Sequence, residues 1–175
     1  MILSEPDINY QKIDKLLGEP IRFNWRNPKT VGSPGLYLKS FIIKTEGFES
    51  IKIDSKCNFE KRTEGLIVHT NYSNKRSLIL VTAREINEII ITKGKEKITP
   101  IPFYLMWILL KLGVSIRTAR HFDLRGRQYS IQPMKLKIET SSYTIECIAN
   151  GYLFERQQQF FKGLRYGNKI KFVSV

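Results

Sequence analysis

The chain has 175 residues, ordinary for one domain, and 42% of them are apolar, so a packed core is feasible and global disorder is excluded. With 29 Lys plus Arg against 16 Asp plus Glu its formal charge is +13, an imbalance that favours contact with nucleic acid, anionic lipid surfaces or acidic proteins. The most apolar run, residues 101–112, would reach only about 18 Å as a helix, short of a ~30 Å bilayer core, which excludes it as a transmembrane span.

The N-terminal stretch has no basic segment followed by an apolar one, so no signal peptide is expected and the cytoplasm is the default address. Cys57 and Cys147 lie 90 positions apart and read as separate reduced thiols. Residues 1–35 read as a polar leader with a first strand. Ile13, Leu16 and Leu17 share one face of a short helix over residues 8–17. Pro20 and the Gly32-Ser33-Pro34-Gly35 loop then bracket a strand over residues 21–25.

Residues 36–175 have the pattern of a single β-rich domain. Leu36-Tyr37-Leu38 and Phe41-Ile42-Ile43 lead to a turn at Glu46-Gly47, after which Ile51 and Ile53 alternate with Lys52 and Asp54, a hairpin with one wet face. Residues 66–70 and 77–81 are short strands on either side of the turn-rich Asn71-Tyr72-Ser73-Asn74-Lys75. Residues 85–92 continue as strand, and Lys93-Gly94-Lys95 makes the turn. A helix is predicted over residues 102–112: Pro102 suits its first turn, Lys111 its negative end, and Gly113 a left-handed stop.

The cleanest hairpin follows. Met134, Leu136 and Ile138 alternate with Lys135, Lys137 and Glu139, Ser141-Ser142 turns, and Tyr143, Ile145 and Cys147 alternate with Thr144 and Glu146. Asn150 is an N-cap for a second helix running to residue 165 and stopped by Gly167. Leu153, Gln157, Phe160 and Leu164 share one of its faces, flanked by Phe154 and Phe161, as in an amphipathic helix laid on a sheet. Residues 169–173 form a last strand, with Ile170 and Phe172 alternating against Lys169 and Lys171.

This order of short antiparallel strands and a C-terminal amphipathic helix resembles the pleckstrin-homology-like fold, especially its bacterial versions. The likeness covers residues 66–175 and rests on the strand-rich 78–97 stretch, the Ile101-Pro102-Phe103 entry to a helix, the 134–149 hairpin and the 154–164 helix. It implies a mainly β, α+β architecture, an antiparallel sandwich or roll. The inserted helix at 102–113 and the strand at 169–173 depart from that plan.

No cofactor or metal is expected. His69 and His121 lie in different segments away from either cysteine, and His69 reads as a structural or surface residue. There is no Gly-x-Ser-x-Gly elbow and no glycine-rich phosphate loop of the common types, so an enzyme is not expected. Charge is the informative feature. Between Lys75 and Lys137, 13 Lys plus Arg stand against Glu85, Glu88, Glu96 and Asp123, which leaves +9 of the total +13 in this segment.

Arg117, Arg120, Arg125 and Arg127 crowd together with only Asp123 opposing, and Lys135 and Lys137 follow. Guanidinium forks grip phosphate bidentately, and His121, Phe122 and Tyr129 interleave as a stacking surface for bases would require. Two readings stand: an anion-binding patch, or arginines that face water or pair with acids elsewhere. The helix at 102–112 has no polar face, which is the pattern of a buried helix. Otherwise it is a protein contact, such as a homo-oligomer interface, or an interfacial helix with Tyr104 and Trp107 at headgroup level. The expected function is non-catalytic binding or scaffolding through a basic surface that takes an anionic lipid headgroup or an acidic partner. Nucleic-acid binding through the same arginines is the alternative.

Overall fold

The structure, a computed structural model, describes residues 2–4, 8–21, 31–44, 50–72, 74–164 and 166–174. Nine of the strands among the described residues form one mixed sheet. Its strands are β1 (Ile2–Ser4), β2 (Leu36–Ile43), β3 (Ser50–Lys61), β4 (Gly65–Tyr72), β5 (Lys75–Thr82), β6 (Ile86–Thr92), β9 (Met134–Thr140), β10 (Tyr143–Ala149) and β11 (Ile170–Val173), in the order β1-β5-β4-β3-β2-β10-β9-β6-β11. β7 (Glu96–Ile98) and β8 (Tyr129–Ile131) pair separately. Among the described residues four α-helices accompany them: α1 (Tyr10–Leu17), α2 (Leu105–Lys111), α3 (Ile116–Ala119) and α4 (Phe154–Lys162). The architecture is therefore mainly β with helices, an α+β arrangement.

The sequence shows β2 as two fragments because its alternation changes phase. Leu36 and Leu38 face the core, the register shifts between Leu38 and Ser40 against β3, and Phe41 is the next inward residue. β10 shifts at the matching point, between Glu146 and Cys147. One extra residue, Lys39, thus bends a continuous strand without breaking it. The turn expected at Glu46-Gly47 and nearly all of the strand expected over residues 21–25 lie outside the described residues. Just before that stretch, Pro20 bridges Arg62.

β4 and β5 read as unbroken apolar runs, and both of their faces are covered. Leu66, Val68, Ile79 and Val81 enter the main core, while Ile67, Leu78 and Leu80 face the other way and meet Ile13 and Leu17 of α1. Asn9 caps α1, its side chain accepting from the amides of Gln11 and Lys12. Leu16, expected on the same buried face, is 44% exposed. Contact between α1 and the sheet is close enough to require Gly65: a Cβ there would sit 2.4 Å from the Val81 carbonyl oxygen and 2.6 Å from Leu17 Cδ2. β1 adds an edge strand to β5, with Leu3 opposite Leu78.

The β9–β10 hairpin has the expected inward set of Met134, Leu136, Ile138, Tyr143, Ile145 and Cys147. Buried Thr140 closes its turn, accepting from the Tyr143 amide at 3.0 Å and donating to the Tyr143 carbonyl at 2.8 Å. Tyr143 in turn donates its hydroxyl to the Leu80 carbonyl at 2.7 Å, joining β10 to β5 across the core. α4 begins after a short 3-10 turn capped by Asn150 and ends at Lys162, three residues before the expected residue 165. Its Phe154, Gln157, Phe160 and Phe161 are buried, with Phe161 edge-on to Phe59 at 5.7 Å. The last strand, β11, pairs with β6 in parallel.

Cys57 and Cys147 are free thiols buried with their sulfurs 3.9 Å apart. Cys57 lies opposite Leu36 and Cys147 opposite Leu38, so β2 runs between them.

Candidate functional site

The basic segment singled out by charge forms a distinct excursion from the sheet. β6 leaves the body through Lys93–Lys95, β7 and β8 pair antiparallel as its base, and residues 99–128 make a helical cap between them. The base is tied shut by Thr99, whose amide donates to the Gln128 carbonyl at 2.7 Å, and by Ile101, whose amide donates to Gln128 Oε1 at 2.9 Å. Met106, Ala119 and Tyr129 form a small separate core, with Leu109, Leu110, Ile116 and Ile131 packed against it. The Tyr152 hydroxyl donates to the Tyr129 carbonyl at 3.3 Å, linking the excursion to the chain just before α4.

Asp123, the acid expected to oppose the arginines, has another task. Its two carboxylate oxygens accept the backbone amides of Gln128 (2.8 Å) and Tyr129 (3.2 Å). Glu96, at the base, is held by Lys93 at 2.6 Å, and that hydrogen bond keeps its carboxyl below the usual range. Arg117, Arg125 and Arg127 are exposed, and among the described residues none of them makes an ion pair. Arg120 is half-buried with its guanidinium 5.7 Å from the Tyr129 ring centroid, a cation–π contact. Arg125 occupies a left-handed position at φ 53°, followed by Gly126 at φ 68°, in a turn closed by the Arg127 amide on the Leu124 carbonyl.

Not every predicted site residue belongs to this group. Lys137 pairs with Glu139 on the outward face of β9, within a ladder that also holds Glu88, Glu146 and Lys171. The hydrogen bond that Lys137 donates to Glu139 raises the ammonium's pKa, and the same bond lowers that of Glu139. Lys135 is exposed on that strand, in register with Thr92 and Ile148. Tyr129, expected in a stacking surface with His121 and Phe122, is buried in the excursion's core. Only the latter two are exposed.

The apolar helix departs most from expectation. It spans Leu105–Lys111, because Phe103 takes a left-handed φ of 66° and the chain turns before the helix begins. Only Met106 is fully buried; the small core has room for the Met106, Leu109 and Leu110 side and no more. Leu105 (50%), Ile108 and Leu112 (74%), spaced i, i+3, i+7, lie along its exposed side, and Phe103 is 85% exposed. Tyr104 is exposed, and half-buried Trp107 sits between the Phe103 ring at 5.5 Å and the Lys111 ammonium at 5.8 Å. Eight of the fourteen exposed large apolar residues among those described fall within residues 98–124, so the exposure is concentrated here. Hydropathy pattern marks these residues as apolar; only the size of the excursion decides which of them find cover.

Concavities among the described residues lie elsewhere. A shallow recess of about 520 Å³ on β3–β5 is lined by Lys56, Asn58, His69, Thr70, Asn71 and Arg76. A cleft of about 950 Å³ beside α1 and the end of α4 mixes both charge signs, with Lys15, Arg62 and Arg84 against Glu64 and Glu85. Near the recess, His69 Nε2 is 2.7 Å from Glu60, Glu60 is 2.7 Å from Arg62, and Arg62 is 2.6 Å from Asp14. This chain fastens α1 to the sheet around a buried guanidinium. Among the described residues no three His, Cys, Asp or Glu side chains are grouped to hold a metal, and no helix is long and apolar enough to cross a membrane.

Comparison with family models, with curated proteins and with solved structures finds no match to this chain.

Proposed function

We propose that the protein is a non-catalytic binding module whose excursion, residues 96–131, takes an anionic ligand. The observation that carries this reading is the uncompensated charge. Lys97, Lys111, Arg117, Arg120, Arg125 and Arg127 stand against two acids: Asp123, both of whose oxygens accept backbone amides, and Glu96 near Arg120, which is held by Lys93. On the sheet's outer face, by contrast, Lys137 has Glu139 beside it and Lys171 has Glu88. Arg117, Arg125 and Arg127, which make no ion pair among the described residues, offer forks for phosphate or carboxylate oxygens. The hairpins and α4 support a pleckstrin-homology-like plan, to which the excursion and parallel β11 would be additions. A cytoplasmic address suits the two free thiols. Nucleic acid is the less favoured ligand, since burial of Tyr129 removes one of the three stacking rings.

Arg117→Glu with Arg125→Glu reverses two exposed charges that hold nothing else in place. Binding to inorganic polyphosphate, followed by titration calorimetry at two salt concentrations, should weaken about tenfold or more and lose part of its salt dependence. Unchanged affinity would remove the excursion as the anion site.

A further inference from the structure

We infer that the ligand of this surface is a lipid bilayer with anionic headgroups, into whose interface the exposed ridge of Phe103, Leu105, Ile108 and Leu112 inserts. The inference rests on the anion-binding reading above and deepens it by naming the partner. Polyphosphate or an acidic peptide would use the arginines and leave the ridge in water. The ridge is the part of the described surface where large apolar side chains are most concentrated, and leaving it wet is unfavourable.

Charge decides among the surfaces that could cover it. The ridge belongs to a segment, residues 96–131, with six cations and two acids that are both already hydrogen-bonded, so a second copy would bring like charge against like. An anionic bilayer offers both complements at once: hydrocarbon for Phe103, Leu105, Ile108 and Leu112, and headgroups for Lys111 and the arginines. Tyr104 and Trp107, beside the ridge, are amphipathic rings of the kind that sit at headgroup depth, and Lys111 already lies over the Trp107 ring. At about 10 Å, a helix of seven residues lies on such a surface and does not cross it.

Phe103 supplies a second argument. A bulky residue at φ 66° is strained, and here the strain holds a ring that is 85% exposed and gains little from the fold. A turn needing only that backbone would be better served by Gly or Asn. The ring on this turn projects into the medium beside Trp107, as insertion requires.

The test uses the full chain with three probes: vesicles of phosphatidylglycerol and phosphatidylcholine, vesicles of phosphatidylcholine alone, and polyphosphate. The wild-type protein should float with the anionic vesicles and far less with the neutral ones. Phe103→Asn with Leu105→Ser and Ile108→Ser should lower anionic-vesicle affinity about a hundredfold while polyphosphate affinity stays within about twofold. Phe103→Asn alone should weaken vesicle binding while leaving the thermal midpoint unchanged or raised, which keeps the result separate from unfolding. Vesicle binding that survives the triple substitution overturns the inference. Polyphosphate binding without vesicle binding also overturns it and leaves the anion site standing. Failure of both anionic probes removes both readings. A dimer in light scattering that the triple substitution dissolves would assign the ridge to a second copy and overturn the membrane.

Discussion

Tyr143 and Tyr166 carry the same ring to the same core with opposite outcomes for the hydroxyl. Tyr143 donates to the Leu80 carbonyl at 2.7 Å. The Tyr166 hydroxyl is buried and has no hydrogen-bond partner among the described residues. An unmet buried donor costs desolvation, and a met one returns most of it. Tyr143→Phe should therefore lower the stability measured by urea unfolding by about 1–2 kcal/mol, leaving the Leu80 carbonyl in want of its donor. Tyr166→Phe should be neutral or stabilising by a few tenths of a kcal/mol. If both variants lost the same amount, the difference in hydrogen bonding would not be what separates them. Sequence offers no sign of this contrast, because both residues are tyrosines beside strand or helix ends. The partner lies 63 positions away in one case and is missing in the other.

At the scale of elements, α1 shows how far a periodic pattern reaches. Its apolar positions predict a helix with one buried face, and the helix forms over Tyr10–Leu17. The face is narrower than the pattern: Ile13 and Leu17, one turn apart, are buried against β4 and β5, and Leu16 stands outside. Ile13→Ala should cost about 2–4 kcal/mol in urea unfolding, against less than about 0.5 kcal/mol for Leu16→Ala. Equal losses would mean that α1 is not docked through the Ile13–Leu17 side. The same reasoning separates what was legible from what was not. Alternation revealed the β9–β10 hairpin because one face of it is wet and the other dry. It split β2 at Lys39, since a bulge interrupts alternation without interrupting the strand. It missed β7 and β8, each of only three residues, too short for any period to show. The charge count located the arginine-rich excursion, yet it could not see that Asp123 is taken by backbone amides or that the apolar helix is only half covered. Both facts depend on how a small cap closes, and a pattern of residue types does not encode that.

Over the whole molecule, charge and burial act in opposite directions as pH rises, and their magnitudes decide the result. Burial pushes the Tyr166 phenol from 10.0 up to about 12, and burial followed by the nearby Glu85 charge raises Tyr143 further. Cys147 is raised above 9.0 by its hydrogen bond with Cys57 and then by burial. A group whose pKa is higher in the fold than in the unfolded chain contributes stability that is complete below the unfolded value and is lost as pH climbs through the folded one. The loss should begin near pH 9, where the unfolded thiol ionises, and continue past 10.0, where the unfolded phenols do. For Tyr166 alone two pH units correspond to about 2.7 kcal/mol, reduced to about 2 kcal/mol by its partial exposure. Against this, deprotonating lysines relieves the self-repulsion of a chain at +13. Those charges sit mostly at the surface, where physiological salt screens them beyond about 8 Å. Two of the exposed pairs, Lys137–Glu139 and Lys171–Glu88, moreover raise their lysines and so add to the alkaline loss. Burial should prevail: under reducing conditions the urea midpoint falls steadily between pH 9 and pH 12, and the Tyr143→Phe, Tyr166→Phe double variant falls less steeply. A midpoint that rose over this range would show that surface repulsion outweighs the buried groups, and a double variant as steep as the wild type would assign the loss elsewhere.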